Sequence, residues 1–133
     1  MDILAILRSD KQPSIQKFSI YVPDKDKYRQ PIKPSHDAWV EAALHVLTDI
    51  NGGCTLQPSS RGVWKATDGE FLEDDVAIVY SFITDDEAFK ARFHEISAFM
   101  HRFGIEAKQE SVLVELTDGH RAYFLDEASY QHE

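Results

Sequence analysis

Most of the side chains in this sequence that could do chemistry sit in one stretch. Between Asn51 and Ile83 the chain reads NGGCTLQPSSRGVWKATDGEFLEDDVAIVYSFI, with Arg61 and Trp64 before an Asp68-Gly69 pair and Glu73, Asp74 and Asp75 after it. Asp-Gly between extended segments signals a hairpin, which would gather these residues. Together they would offer a cationic fork, an aromatic wall, and carboxylates able to serve as bases or hard-metal ligands for a polar small molecule. The competing reading is a packed Trp, a surface Arg and a solvated acidic turn. Glu115 is a further candidate, on a strand whose face it shares with Gln109, Ser111 and Leu113. The candidate ligand-binding set is Arg61, Trp64, Glu73, Asp75 and Glu115, with no catalytic residue assigned.

Other chemistries find less support. His94 and His101 are seven apart, whereas helical metal pairs sit three or four apart, and no H-E-x-x-H or H-x-H element occurs. His36 stands at a helix start, His120 beside a turn glycine, and His45 beside an apolar stripe reads as structural. Neither a metal nor a cofactor is expected. Cys54, the single cysteine, has no partner for a disulfide or thiolate site and reads as a small buried hydrophobe. Ser59-Ser60 lacks a nucleophile elbow, and Gly52-Gly53 ends a helix instead of opening a phosphate loop.

The elements that must position these residues follow from periodicity. Residues 2–8 are expected to form a short helix. Lys17 to Val22 alternates as a half-buried strand ended by Pro23. The segment DKDKYRQPIKP, residues 24–34, has no apolar period and is expected to be a mobile basic loop. Ser35 caps a helix over about His36 to Ile50, whose apolar face is Trp39, Val40, Ala43, Leu44, Leu47 and Ile50, closed by Asn51-Gly52-Gly53. Short strands are expected at Cys54–Gln57 and Gly62–Ala66, separated by a turn at Pro58-Ser59-Ser60. The acidic triplet interrupts before a central strand over Val76–Ile83. Thr84-x-x-Glu87 has the form of a capping box opening a second helix, with Phe89, Phe93, Ile96, Met100 and Phe103 as its buried stripe and Gly104 as its stop. A strand over Gln109–Leu116, an Asp118-Gly119 turn and a strand over Arg121–Leu125 complete the chain before a polar tail at 126–133 that is expected to fray.

This order predicts one α+β domain over residues 1–133, a ferredoxin-like βαββαβ sandwich with two helices on one sheet face and an extra hairpin. The other face, carrying Tyr21, Tyr80 and Tyr123, is expected to pair with a second copy in a homodimer.

Composition narrows the partners. Hydrophobic residues at 43% and charged residues at 28% are ordinary for a globular chain, so disorder is not expected. Fourteen Lys and Arg against 23 Asp and Glu give a formal charge of −9, which argues against nucleic acid as a partner and favours cations, a basic protein or a neutral small molecule. The start MDILAILRSD has no basic leader or cleavage pattern, and no apolar run reaches the ~20 residues of a membrane span. A cytoplasmic protein without membrane association is expected.

The pattern Gly52-Gly53-x-Thr55, Gly62-x-Trp64, Gly69 and Glu73-Asp74, followed by a strand and a helix, resembles a group of small bacterial ferredoxin-like proteins of unassigned function. The resemblance implies the same fold and draws attention to Trp64 and Glu73, but it carries no activity. Three functions stand against one another: a non-enzymatic binding or regulatory module using the 61–75 hairpin, a small carboxylate- or Mg-dependent enzyme using Glu73, Asp74 or Glu115, and an acidic inhibitor or immunity-type protein meeting a basic partner.

Overall fold

The structure is a computed structural model and describes residues 1–9, 16–117 and 121–131. Its central element is β1 (Lys17–Pro23), where Phe18, Ile20 and Val22 point to one face and are buried. β1 pairs antiparallel with β3 (Phe71–Phe82) on one side and with β4 (Ser111–Leu116) on the other. β2 (Thr55–Lys65) flanks β3, and β5 (Arg121–Asp126) flanks β4, giving a five-stranded antiparallel sheet in the order β2-β3-β1-β4-β5. Two long helices, α2 (His36–Asn51) and α3 (Asp86–Glu106), pack on each other and on the face that bears Phe18, Ile20 and Val22. The chain is therefore α+β, as its periodicities predict. Two short helices, α1 (Ile3–Leu7) and α4 (Glu127–Tyr130), complete it. No helix among the described residues is long and apolar enough to cross a membrane.

α2 forms where its stripe predicts. Ser35 accepts a bond from the Ala38 N–H at 3.0 Å, and Gly52 closes the helix at φ 86°. Trp39 is buried against Phe99 and Phe103, and its indole N–H donates to the Lys33 carbonyl at 2.7 Å. The Asp68-Gly69 turn also forms, with Gly69 at φ 91° and Asp68 Oδ1 accepting from the Glu70 N–H.

Several expectations are corrected. The two short strands around Pro58 are one, β2, whose register slips between Gln57 and Ser60. Proline has no N–H for the ladder, so the strand passes it through a bulge instead of stopping. β3 likewise runs straight through the acidic triplet, with Asp74 buried and Glu73 and Asp75 exposed. The 24–34 loop is packed, not loose: Asp26 Oδ1 accepts from Tyr28 N and Gln30 N, Ile32 is in the core, and Gln109 Nε2 donates to the Lys25 carbonyl at 3.0 Å. Thr84 is not the cap of α3. Asp85 accepts from Ala88 N, while Thr84 Oγ1 donates to the Asn51 carbonyl and ties the two helix ends together. Phe93 is 40% exposed and Phe99 takes its place in the buried stripe. His45 is exposed, not structural, and Cys54 is only half-buried. The Asp118-Gly119 turn and His120 lie outside the described residues.

Gly104 does not stop α3, which continues to Glu106. Its lack of a side chain admits the ring of Tyr130, whose Cζ lies 2.3 Å from where a Cβ would be. The tail expected to fray thus folds back as α4 with Tyr130 buried and its hydroxyl donating to the Leu125 carbonyl at 2.8 Å. Burial, followed by Asp126 and Glu127, pushes the Tyr130 pKa well up.

This contact gives a sign test. Gly104→Ala should destabilise the chain by about 1–3 kcal/mol because the Tyr130 ring has to leave. In a Tyr130→Ala background the same substitution should stabilise by up to ~1 kcal/mol, the ordinary preference of a helix interior for Ala. Urea unfolding midpoints read both, and the same sign in both backgrounds would remove the packing role assigned to Gly104.

Candidate functional site

Strand alternation divides the candidate residues between two faces of the sheet. Arg61, Glu73 and Asp75 share the face of Ala77 and Val79, on the helix side. Trp64 shares the other face with Gly62, and Gly62 stands opposite Asp74 in the β2–β3 register. Asp74, Val76, Ile78 and Tyr80 belong to the open face, with Tyr21 and Glu115 beyond them on β1 and β4. The hairpin therefore brings Arg61 to Glu73 in an ion pair, both exposed, and leaves Trp64 and Glu115 on the opposite face. The five residues do not form one pocket. Asp85 and Asp86, in the acidic run that opens α3, are engaged within that helix, as its cap and as the partner of Lys90 at 2.9 Å.

The open face holds the richer chemistry. Trp64 is 44% exposed, and its ring lies over Gly62, where a Cβ would meet Trp64 Cζ3 at 2.9 Å and Val76 Cγ2 at 3.0 Å. Only glycine lets the indole lie down on the sheet there. Further along the same face Lys17 Nζ sits 4.7 Å from the centre of the Tyr80 ring, and Tyr80 meets Phe82 edge-on at 6.1 Å. Ser19 is buried between Tyr80 and Glu115, its partners in the neighbouring strands. Tyr21 donates its hydroxyl to Glu115 Oε1 at 3.4 Å. Burial raises the Tyr21 pKa, and the Glu115 carboxylate raises it further. The hydroxyl is held protonated, as a donor. Tyr123, expected on this face, pairs with Val114 and lies on the helix side.

Sequence reasoning missed Arg29 and underrated Asp74. Asp74 is 4% exposed, an unusual place for a carboxylate. Arg29 Nη2 stands 2.8 Å from its Oδ1 and donates to the Glu73 carbonyl at 2.5 Å. The N–H is aligned on the carbonyl, so Oδ1 is paired by charge without a hydrogen bond of its own. Arg29 reaches this position from the 24–34 loop with φ 65°. Asp24 fastens the same loop, donating its N–H to the Asp75 carbonyl and accepting from the Asp75 N–H at 3.0 Å. Burial raises the Asp74 pKa, and Arg29 lowers it in part. The only sequence signal for this pair was a basic loop beside an acidic strand.

No three His, Cys, Asp or Glu among the described residues are grouped to hold a metal ion. The Cys54 thiol is pushed up by burial, which leaves it a poor nucleophile.

No family model matches the sequence, and no curated protein matches it. Solved structures do share its fold. A phage SAM lyase in complex with S-methyl-5'-thioadenosine superposes with a TM-score of 0.60 at 17% identity, over 89% of this chain and 92% of that one. The same lyase in its apo state gives 0.55 at 17% identity, over 84% and 88%. A divalent cation tolerance protein, CutA1 from Thermus thermophilus, gives 0.42 at 15% identity, over 63% and 70%. For the lyase structures, at 17% identity, the likeness is one of fold.

The Asp74–Arg29 pair has a pH signature. A carboxyl with a raised folded pKa binds its proton more tightly when folded, so the stability linked to it is present at acid pH and falls as pH rises through the shifted pKa. Arg29→Ala removes the compensating cation and should raise that pKa further. The variant should lose about 3 kcal/mol at neutral pH, with the deficit shrinking as pH falls to where Asp74 is protonated in both proteins. Unfolding measured from acid to neutral pH checks this; a deficit independent of pH would mean that Arg29 acts only through its bond to the Glu73 carbonyl.

Proposed function

We propose that this chain is a binding module of ferredoxin-like βαββαβ layout, extended by β5, that takes a small molecule against Trp64 at the 61–75 hairpin and pairs with a second copy through the open sheet face. The observation that carries the reading is the indole of Trp64, exposed on a sheet and bedded on Gly62 instead of packed in the core. An aromatic ring so placed is a stacking platform for a planar ligand. The Arg29–Asp74 pair borders it, and Tyr21 with Glu115 supplies a hydroxyl and a carboxylate farther along the same face. A ligand on an open sheet is shielded from water only when something covers it, which is the part a second copy would play.

The fold likeness to a protein complexed with S-methyl-5'-thioadenosine makes an adenine-bearing thioether the first ligand to try. A cytoplasmic setting is part of this proposal. An enzymatic reading is favoured by one observation, the pairing of Glu115 with Tyr21 on this face of a fold shared with a lyase. In that reading Glu115 is the general base and the ligand is turned over.

Trp39→Phe leaves Trp64 as the only tryptophan. In that variant, titration with S-methyl-5'-thioadenosine and related nucleosides should give a saturable change in fluorescence. Trp64→Ala in the parent chain should abolish binding by calorimetry while costing less than ~1 kcal/mol of stability, as for a residue outside the core. A loss of ~3–5 kcal/mol would instead mark Trp64 as a packing residue, and a flat titration across the nucleosides would sink the ligand assignment. Chromatography of S-adenosylmethionine incubated with and without the protein separates binding from turnover, since only an enzyme speeds its loss over the uncatalysed breakdown.

A further inference from the structure

α1 is an apolar helix that buries none of its side chains among the described residues. Ile3, Ile6 and Leu7 are exposed, and no residue of the helix is buried. On a helical wheel Ile3, Leu4, Ile6 and Leu7 fall within an arc of roughly 160°, with Ala5 opposite, which is a core-facing stripe. Both ends are nevertheless finished: Asp2 accepts from Ala5 N, and Arg8 at φ 55° lets its N–H and that of Ser9 close on the Ala5 and Leu4 carbonyls. Five residues do not hold a helix in water by themselves.

The described residues also enclose an apolar cavity. About 470 Å³ lies between α3 and the β4–β5 pair, walled by Phe18, Phe89, Phe93, Met100 and Tyr123. No charged residue lines it, and Ser97 and the Tyr123 hydroxyl are its polar side-chain groups. The three Phe rings contact one another at centroid distances of 5.4 to 5.9 Å, forming one hydrocarbon wall.

We propose that α1 is the occupant: Ile3, Leu4, Ile6 and Leu7 dock as one face into the cavity of their own chain. The tether allows it. The Gln16 carbonyl is fixed by the Ile83 N–H at 3.0 Å, and Phe18, two residues on, is part of the cavity wall. The nine residues from Arg8 to Gln16 span at most ~30 Å, and a tether that short holds the helix at an effective concentration on the order of millimolar. Charge favours an intramolecular partner too. An anionic membrane surface must approach a chain of net charge −9, and α1 of the same chain need not.

Cross-linking tests the docking in the full chain. In a Cys54→Ser background, Ile6→Cys with Ser97→Cys should form an intrachain disulfide on mild oxidation, in greater yield than Ile6→Cys with Lys65→Cys at the far tip of the hairpin. An interchain product as the main species, or a yield no greater than that control, overturns the proposal. As a second measurement, a chain carrying Ile3→Ser, Ile6→Ser and Leu7→Ser should take up the neutral apolar dye Nile red several-fold more than the parent, because its cavity is left open. Equal uptake by both overturns it as well.

Discussion

The register of β1 holds the rest in place. All seven of its residues pair with β3 and Phe18 to Ile20 pair with β4 as well, and Phe18, Ile20 and Val22 are the floor on which α2 and α3 meet. A slip of one residue would send those three side chains to the open face and bring Lys17, Ser19 and Tyr21 beneath the helices. The alternative is so costly that the pairing is effectively unique. Everything distinctive on the open face, including the burial of Ser19 and the reach of Tyr21 to Glu115, follows from that single choice.

At the far end of β3 a second constraint takes over. A strand carrying three consecutive acids would repel itself and drift into solvent, yet it continues the ladder because the 24–34 loop folds across it. Arg29 neutralises the one acid that alternation turns to the open face, where it is buried, and Asp24 binds the backbone of another. The loop and the strand are thus mutually dependent. The charge pairing that joins them lies on the sheet face where the Trp64 ring covers Gly62, which stands opposite Asp74.

What could be read from the sequence was what is local. The stripe of α2, that of α3 apart from Phe93, the Ser35 cap and the Asp68-Gly69 turn depend on neighbours within a few residues, and each formed. Gly104 shows the limit: a glycine at the end of an apolar stripe looks like a stop, and the ring that needs its space belongs to Tyr130. Thr84 and Asp85 are both good cap residues, and the choice between them was made by the Asn51 carbonyl at the end of another helix. The Asp74–Arg29 pair joins segments far apart in the chain and had no local signature. The division of Arg61 and Trp64 between two faces is different in kind. Their odd separation along one strand already dictated it, and it was obscured only by reading Pro58 as a turn.

Pro58 and its bulge have a consequence for assembly. β2 is an edge strand, and an edge with free N–H and C=O groups invites another strand to add to it and propagate the sheet from molecule to molecule. A proline at the kink removes a donor and breaks the repeat that an incoming strand would have to match. Growth of a fibre along this edge is thereby interrupted, even though β3 behind it is long and rich in β-branched and aromatic residues. An aromatic sheet face thus lies beside an edge that is protected from open-ended polymerisation.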